Sequence, residues 1–335
     1  MRYVGLDVHQ SMSAVCILDE HGKKEKQFIV RGRWTKLVEA LQEIPRPFAV
    51  CYEASNGYGF LSDLFSRMCD KVVVAHPGQL RLIFRSKRKN DRVDAEKLAK
   101  LLFLDEVPPV YVPRLNIREW RDMITFRSHL VRDQTASKNR LRALLRTHGM
   151  EAPKGLWSRK GLAWLQQRTW PSEQAALRCD ILLDELAHHR HRIKRVERHL
   201  ASIAKIHPGV ALAMTIPGVG IRTAEAMVAW IDQPARFAKN KCIGSYFGLV
   251  PCQDTSAGKE RLGHITQQGP SLVRKLLTEA SWQAIRRSPE VRRYFERVQR
   301  GDPKKRKKIA LIATAHYLAR VILAIGRAWN PALAA

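Results

Sequence analysis

Negative charge is scarce in this chain of 335 residues: 31 Asp and Glu face 59 Lys and Arg, for a net charge of +28. Such a chain repels metal cations and gathers polyanions, and its excess is the electrostatic footprint of phosphate binding. The six cysteines, Cys16, Cys51, Cys69, Cys179, Cys242 and Cys252, show no CxxC spacing. That speaks against a zinc ribbon or a disulfide framework and for free thiols in a reducing cytosol. No signal peptide precedes the strand-like opening MRYVGLDV. Long apolar runs are missing too. The longest, residues 309–325, is interrupted by His316 and Arg320 and follows Lys304, Lys305, Arg306, Lys307 and Lys308, which is too short and polar for a membrane span. Basic residues are spread along the whole chain, not confined to one amphipathic helix, which disfavours a membrane-surface role. The expectation is a soluble, cytoplasmic, nucleic-acid-binding protein.

Because acids are few, where they fall is informative. Asp7 lies inside a hydrophobic run, YVGLDVHQ, and Glu53 closes another, FAVCYEAS. Asp91 and Asp94 stand three apart at the start of a helical stretch, NDRVDAEKLAK. A strand-embedded carboxylate without a cation is costly, and several carboxylate oxygens around Mg²⁺ satisfy it. Taken singly, Asp7 also reads as a salt-bridged acid, and Asp91 and Asp94 as acids favoured by a helix dipole. Taken together with Glu53, the four read as a two-metal site for phosphodiester chemistry. His9 reads as a surface histidine or a marginal neighbour of that site.

The surrounding pattern agrees. Residues 2–9, 13–19 and the run KQFIV predict three antiparallel strands. A helical segment with Trp34, Leu37, Val38 and Leu41, the strand PFAVCYE, a helix with Phe60, Leu61, Leu64 and Phe65, the strand KVVVAHP and the acid-bearing helix follow. That order predicts an α/β, ribonuclease H-like (RuvC-like) N-terminal domain over residues 1–112.

Beyond Pro113 the β signal ends. Residues 115–148 predict one long basic helix, with an apolar stripe from Ile117 to Leu145 and Gly149 as its stop. Leu182, Leu186, His189, Ile193, Val196, Leu200 and Ile203 form a heptad seam with one polar seat. It fits either an antiparallel hairpin or an intersubunit coil. These helices define a basic helical, coiled-coil region over 113–206. A mainly α C-terminal domain over 207–335 opens on IPGVGIRTAEAMVAWI. That run reads either as half of a helix-hairpin-helix, whose Gly-rich turn offers N–H groups to phosphate, or as a tight turn between packed helices. The run YFGLVPCQDTSAGKERLGHIT reads as an irregular Gly-rich segment, a linker or a site loop. Within it Ser256 is a turn residue or an exposed nucleophile, and Thr255 would serve the same purpose. No His–Asp pair completes a triad around them.

Two motif blocks in order carry a family resemblance over essentially the whole chain: GLDVHQ, YEASNGYG and KNDRVDAEKLA, then IPGVGIRTAEAMVAWI, SYFGLVPCQDTSAGKERLGHIT and GPSLVRKLL. Together they resemble the DEDD-type insertion-sequence transposases, the bridge-RNA-guided DNA recombinases. The resemblance implies that Asp7, Glu53, Asp91 and Asp94 bind Mg²⁺ and that Ser256 is a nucleophile forming a covalent phosphoserine. It implies a composite site, with acids from one subunit and serine from another. It also implies donor and target DNA as substrates, a structured guide RNA, and dimers that meet as a tetramer. Two departures stand out: Ala257 where glycine is common after the serine, and Gln267 and Gln268 where a lysine is often found.

The sequence therefore reads as a transposase exchanging DNA strands. Lys87, Arg88, Lys89, Arg92, Lys138, Arg140 and Arg142 are candidate nucleic-acid contacts. The alternatives are a Holliday-junction-type or ribonuclease H-like nuclease, in which Ser256 is inert, and a non-catalytic nucleic-acid-binding protein.

Overall fold

The computed structural model describes residues 1–83, 90–256 and 259–327, with the backbone alone at Thr255, Ser256, Lys259 and Glu260. These residues divide into two compact units, Met1–Arg118 and from Glu119 onward.

The first unit is built on a five-stranded mixed sheet. Strands β1 (Arg2–Val8), β2 (Met12–Leu18) and β3 (Lys24–Arg31) form an antiparallel meander; helix α1 (Trp34–Gln42) then leads to β4 (Phe48–Glu53). Helix α2 (Tyr58–Phe65) leads to β5 (Lys71–Ala75), and α3 (Pro77–Ile83) and α4 (Asp91–Phe103) follow. The strand order is β3-β2-β1-β4-β5, with β4 parallel to both β1 and β5. Alternation along the strands sends side chains to two layers. Val4, Leu6, Val15, Ile17, Phe48, Val50 and Tyr52 face the layer that includes Leu37, Leu41, Leu61 and Phe65 of α1 and α2. Ala14, Cys16 and Leu18 face Ala95 and Ala99 of α4, and Ala49 and Cys51 pack with its Leu98, Leu101 and Leu102. Gly5 is needed on that second face: a Cβ there would lie 2.0 Å from the carbonyl oxygen of Ala95 and 2.4 Å from the amide nitrogen of Ala99. The missing side chain lets α4 lie directly on β1.

In the second unit, α5 (Leu115–Thr147, reaching back across the division) and α7 (Glu173–Ile206) are paired through Leu141, Leu144, Cys179, Leu182 and Leu186. Ser137 Oγ donates to Glu185 Oε2 at 2.8 Å, and Arg127 Nη2 meets Glu197 Oε1 at 2.7 Å. Higher numbers on α7 meet lower numbers on α5, so the heptad seam closes here as an antiparallel hairpin within the chain. Gly149, with φ +65°, ends α5 as its position suggested. Between the two lies α6 (Arg159–Gln166), capped by Ser158, whose hydroxyl accepts from the Gly161 amide.

The remaining elements are α8 (Pro208–Met214), α9 (Ile221–Ile231), α10 (Cys242–Tyr246), β6 (Pro251–Ser256), β7 (Lys259–Ile265), α11 (Ser271–Arg287), α12 (Pro289–Gln299) and α13 (Pro303–Gly326). The Gly-rich turn between α8 and α9 holds Gly218 at φ +91°, where a Cβ would lie 2.4 Å from the Ala284 amide nitrogen of α11. That glycine is used for close helix packing. Helix α13 has the length and apolar composition of a membrane span, with half of that stretch buried. Ala310, Thr314, Leu318, Ile322 and Leu323 are among its buried residues, and it packs with α11 and α12 in the manner of a core helix.

One expectation is corrected. The segment read as irregular forms the β6–β7 hairpin, with Gln253 opposite Leu262 and Asp254 opposite Arg261. Its described side chains are exposed on both faces up to His264, and even Leu262 is 65% exposed. With no buried face there is no hydrophobic alternation to read, and the strands were hidden for that reason. Cys252, on β6, is likewise exposed, whereas Cys16, Cys51, Cys69 and Cys179 are buried as expected.

Candidate active site

Asp7, Asp91 and Asp94 of the first unit lie close together at one end of its sheet, and Glu53 ends the neighbouring strand there. Asp7 is the penultimate residue of β1 and stands two residues after Gly5, so it shares the face covered by α4. Glu53 is the last residue of β4. The parallel register, Gly5 with Cys51 and Leu6 with Tyr52, brings Asp7 and Glu53 to the same end of adjacent strands. Helix α4 delivers the other two. Asn90 caps it, its side chain accepting from the Arg92 amide, and Asp91 and Asp94 occupy the first turn, where the helix dipole favours carboxylates.

His9 completes the group. Its Nε2 lies 3.4 Å from Asp7 Oδ2 and 3.8 Å from Asp91 Oδ2. One ligand atom from each of Asp7, His9 and Asp91 falls within 4.8 Å of the others. Burial pushes the Asp7 carboxyl above its ordinary range, and the negative charges of Asp91 and Asp94 push the same way, while His9 opposes them. Asp94 carries a partial counter-charge from Lys97 Nζ at 3.3 Å. A divalent cation fits this arrangement. The donors are mainly hard carboxylate oxygens, and a cation would relieve the repulsion that burdens Asp7. Sequence reading underrated His9; its place two residues after a strand-borne acid, on the same side of an extended chain, was the available signal.

The other residues singled out by sequence lie in either unit or outside the described residues. Ser256 ends β6 in the second unit, opposite Lys259 across the hairpin, and Thr255 pairs with Glu260. Lys87, Arg88, Lys89 and Ala257 lie outside the described residues. Arg92 is exposed on α4, and its carbonyl accepts from Gln27 Nε2 at 2.7 Å. On α5, Lys138 and Arg142 both lie over the Trp157 ring, at 5.7 and 5.2 Å, a cation–π arrangement. Arg140 Nη1 lies 3.5 Å from Glu185 Oε2. Burial and the neighbouring Arg190 and Arg142 lower the pKa of Lys138.

Comparison with known proteins places this geometry. A transposase model of the DEDD, IS110 type matches residues 4–150, which contain all four acids. The model of the transposase IS116/IS110/IS902 family matches residues 210–296, which contain Ser256. The transposase for insertion sequence element IS1111A of Coxiella burnetii is 25% identical over 292 residues, covering 85% of this chain and 78% of that protein. The transposase for insertion sequence element IS1328 of Yersinia enterocolitica is 25% identical over 286 residues, covering 83% and 82%. With two models of such transposases matched in order along it, the chain belongs to the DEDD-type insertion-sequence transposases.

Proposed function

We propose that the chain cuts and exchanges DNA strands for an insertion sequence, using Mg²⁺ held by Asp7, Glu53, Asp91 and Asp94 and Ser256 as the nucleophile. The observation that carries this reading is the meeting of Asp7, Asp91 and His9 beside the ends of β1 and β4. The sheet order, with an antiparallel meander followed by two parallel strands, supports a ribonuclease H-like, RuvC-like fold for the acid-bearing part. We assign three functional parts: residues 1–112 for the acids, 113–206 as a basic helical arm, and 207–335 for the serine.

In the proposed reaction the Ser256 oxygen attacks the phosphorus, and the bond from phosphorus to the leaving deoxyribose oxygen breaks. The serine gives up a proton and the leaving sugar oxygen takes one, so one phosphodiester is exchanged for another and no bond energy is lost. A sugar hydroxyl of the second strand then attacks the phosphoserine and frees the serine. Bound Mg²⁺ would neutralise phosphate charge and stabilise the attacking and leaving oxygens. The carboxylates hold that charge in place and keep it against the sheet end. Guidance by a structured RNA, and dimers pairing into a tetramer so that acids and serine come from different subunits, follow from the family resemblance. A net charge of +28 supports polyanionic partners, and the cytoplasm is the proposed place of action.

Incubation of the full chain and guide RNA with end-labelled donor and target DNA in Mg²⁺, followed by denaturing electrophoresis, tests the reading. Recombined strands and a protein–DNA adduct are expected, with Ser256→Ala and Asp7→Asn each removing both. Cleavage by Ser256→Ala at the unmutated rate would instead mark a nuclease that activates water.

A further inference from the structure

Two aromatic rings are stacked on the acid-bearing unit, one partly buried against its core and the other exposed. Trp34, the first residue of α1, and Phe60, on α2, have ring centroids 5.2 Å apart at an interplanar angle of 29°. Phe60 is 53% exposed, so burial does not account for an aromatic residue there. The backbone is fitted to the pair. Gly57 adopts φ +79°, and a Cβ on it would lie 2.7 Å from the Trp34 ring.

The pair belongs to the same end of the sheet as the acids. Trp34 follows the end of β3, where Arg31 is opposite Met12, and the next amide, Gly32, donates to the carbonyl of Ser11 at 2.9 Å. Ser11 lies in the turn that also carries His9. Gly57 and Phe60 lie on the stretch that leaves β4 immediately after Glu53. Arg31 and Arg33 shortly precede Trp34 in the chain and are both exposed, and their guanidinium groups have no hydrogen-bond or ion-pair partner among the described residues.

An exposed ring braced from behind by a second ring, with arginines nearby in the chain, matches the chemistry of an unpaired nucleotide: a base face for the ring and a phosphate for the guanidinium groups. Paired bases keep their faces inside the duplex and offer no such surface. We propose that Trp34 and Phe60 form a stacking platform for an unpaired base of the DNA strand whose phosphate reaches the acidic cluster. Arg31 and Arg33 hold the backbone of that strand. The proposal rests on the reading that the acids act on DNA, and it assigns the substrate at this end of the sheet as locally unpaired.

Binding of fluorescein-labelled DNA to the full chain, measured by anisotropy in EDTA, separates the two readings because no cleavage is required. The probes are a duplex with a central unpaired bubble and the same duplex fully paired. The unmutated chain is expected to prefer the bubble. Phe60→Leu, which keeps an apolar side chain but no ring face, should weaken bubble binding by roughly tenfold and paired-duplex binding little, as loss of one base–aromatic stack implies. Phe60→Trp should restore the preference. Equal binding of bubble and duplex by the unmutated chain, or an undiminished preference in Phe60→Leu, would overturn the platform. Sensitivity confined to an RNA copy of the bubble would overturn the assignment to DNA. Loss of cleavage in Mg²⁺ with the bubble preference intact would count against the metal-centre reading alone.

Discussion

Gly5 of β1 and Ala95 of α4 are in backbone-to-backbone contact: a single added methyl at Gly5 would fall 2.0 Å from the Ala95 carbonyl oxygen. That contact sets the height of α4 above the sheet, and with it the position of Asp91 and Asp94 relative to Asp7. Replacing Gly5 by Ala should therefore do two things at once. Overpacking of this kind costs about 1–3 kcal/mol, visible as a lowered midpoint in thermal denaturation. The acids should also separate, so the rise in melting temperature caused by Mg²⁺ should shrink. A variant that melts like the unmutated chain and keeps its full Mg²⁺ response would refute this account.

Asp7 should be a destabilising residue in the metal-free protein. Its carboxyl is raised in the folded state by burial and by Asp91 and Asp94. A raised carboxyl contributes stability at acid pH, below its unfolded value, and loses that contribution as pH climbs through the folded value. In EDTA, Asp7→Asn should therefore be more stable than the parent at neutral pH, with the difference fading toward acid. In Mg²⁺ the order should reverse, because only the parent gains a ligand. Melting curves against pH, with and without Mg²⁺, read both signs.

Ser256→Ala should leave the Mg²⁺-induced shift of the acid-bearing unit unchanged while removing the covalent adduct. The comparison needs only a melting curve and a denaturing gel on the same preparation. A reduced Mg²⁺ response in this variant would mean that the serine acts on the metal site and not as a nucleophile.

Gly218 makes a structural prediction free of any functional reading. Its φ of +91° and its approach to the Ala284 amide nitrogen both exclude a side chain. Gly218→Ala should lower stability by about 1–3 kcal/mol. Gly220 in the same turn has open space within 4 Å of where a Cβ would stand, so Gly220→Ala should cost far less. Chemical denaturation of the pair distinguishes them.

Arg142 lies over Trp157 on the exposed side of α5. If it contacts a phosphate, Arg142→Ala should flatten the dependence of log affinity on log salt by about 0.9. Arg140, already close to Glu185, should change the slope less. Titrations of labelled nucleic acid at several salt concentrations decide between them.

Much of the acid-bearing unit was legible because its strands are continuous apolar runs, buried on both faces at their centres. Val4, Leu6 and Val8 alternate with Tyr3, Gly5 and Asp7, and an acid inside such a run stands out. The helix of Asp91 announced itself through Asn90 and the i, i+3 acids. The α5–α7 pairing was half legible: the heptad seam could be seen, but its partner Leu141–Leu144 stripe is separated from it by some 40 residues of chain, and periodicity carries no address. Short α3 has one buried residue, Leu80, too few to make a period. His9 escaped because an exposed histidine next to a turn looks like any other until the fold sets Asp91 across from it.

The β6–β7 ribbon has only two strands, and its described side chains up to His264 face solvent. An isolated ribbon of two strands is marginally stable in water. A reactive group mounted on its end is therefore held loosely by the chain itself and takes a firm position only against something larger. With Ser256 as the proposed nucleophile, such a ribbon would act as a safety catch, leaving the serine idle until a partner surface sets its aim.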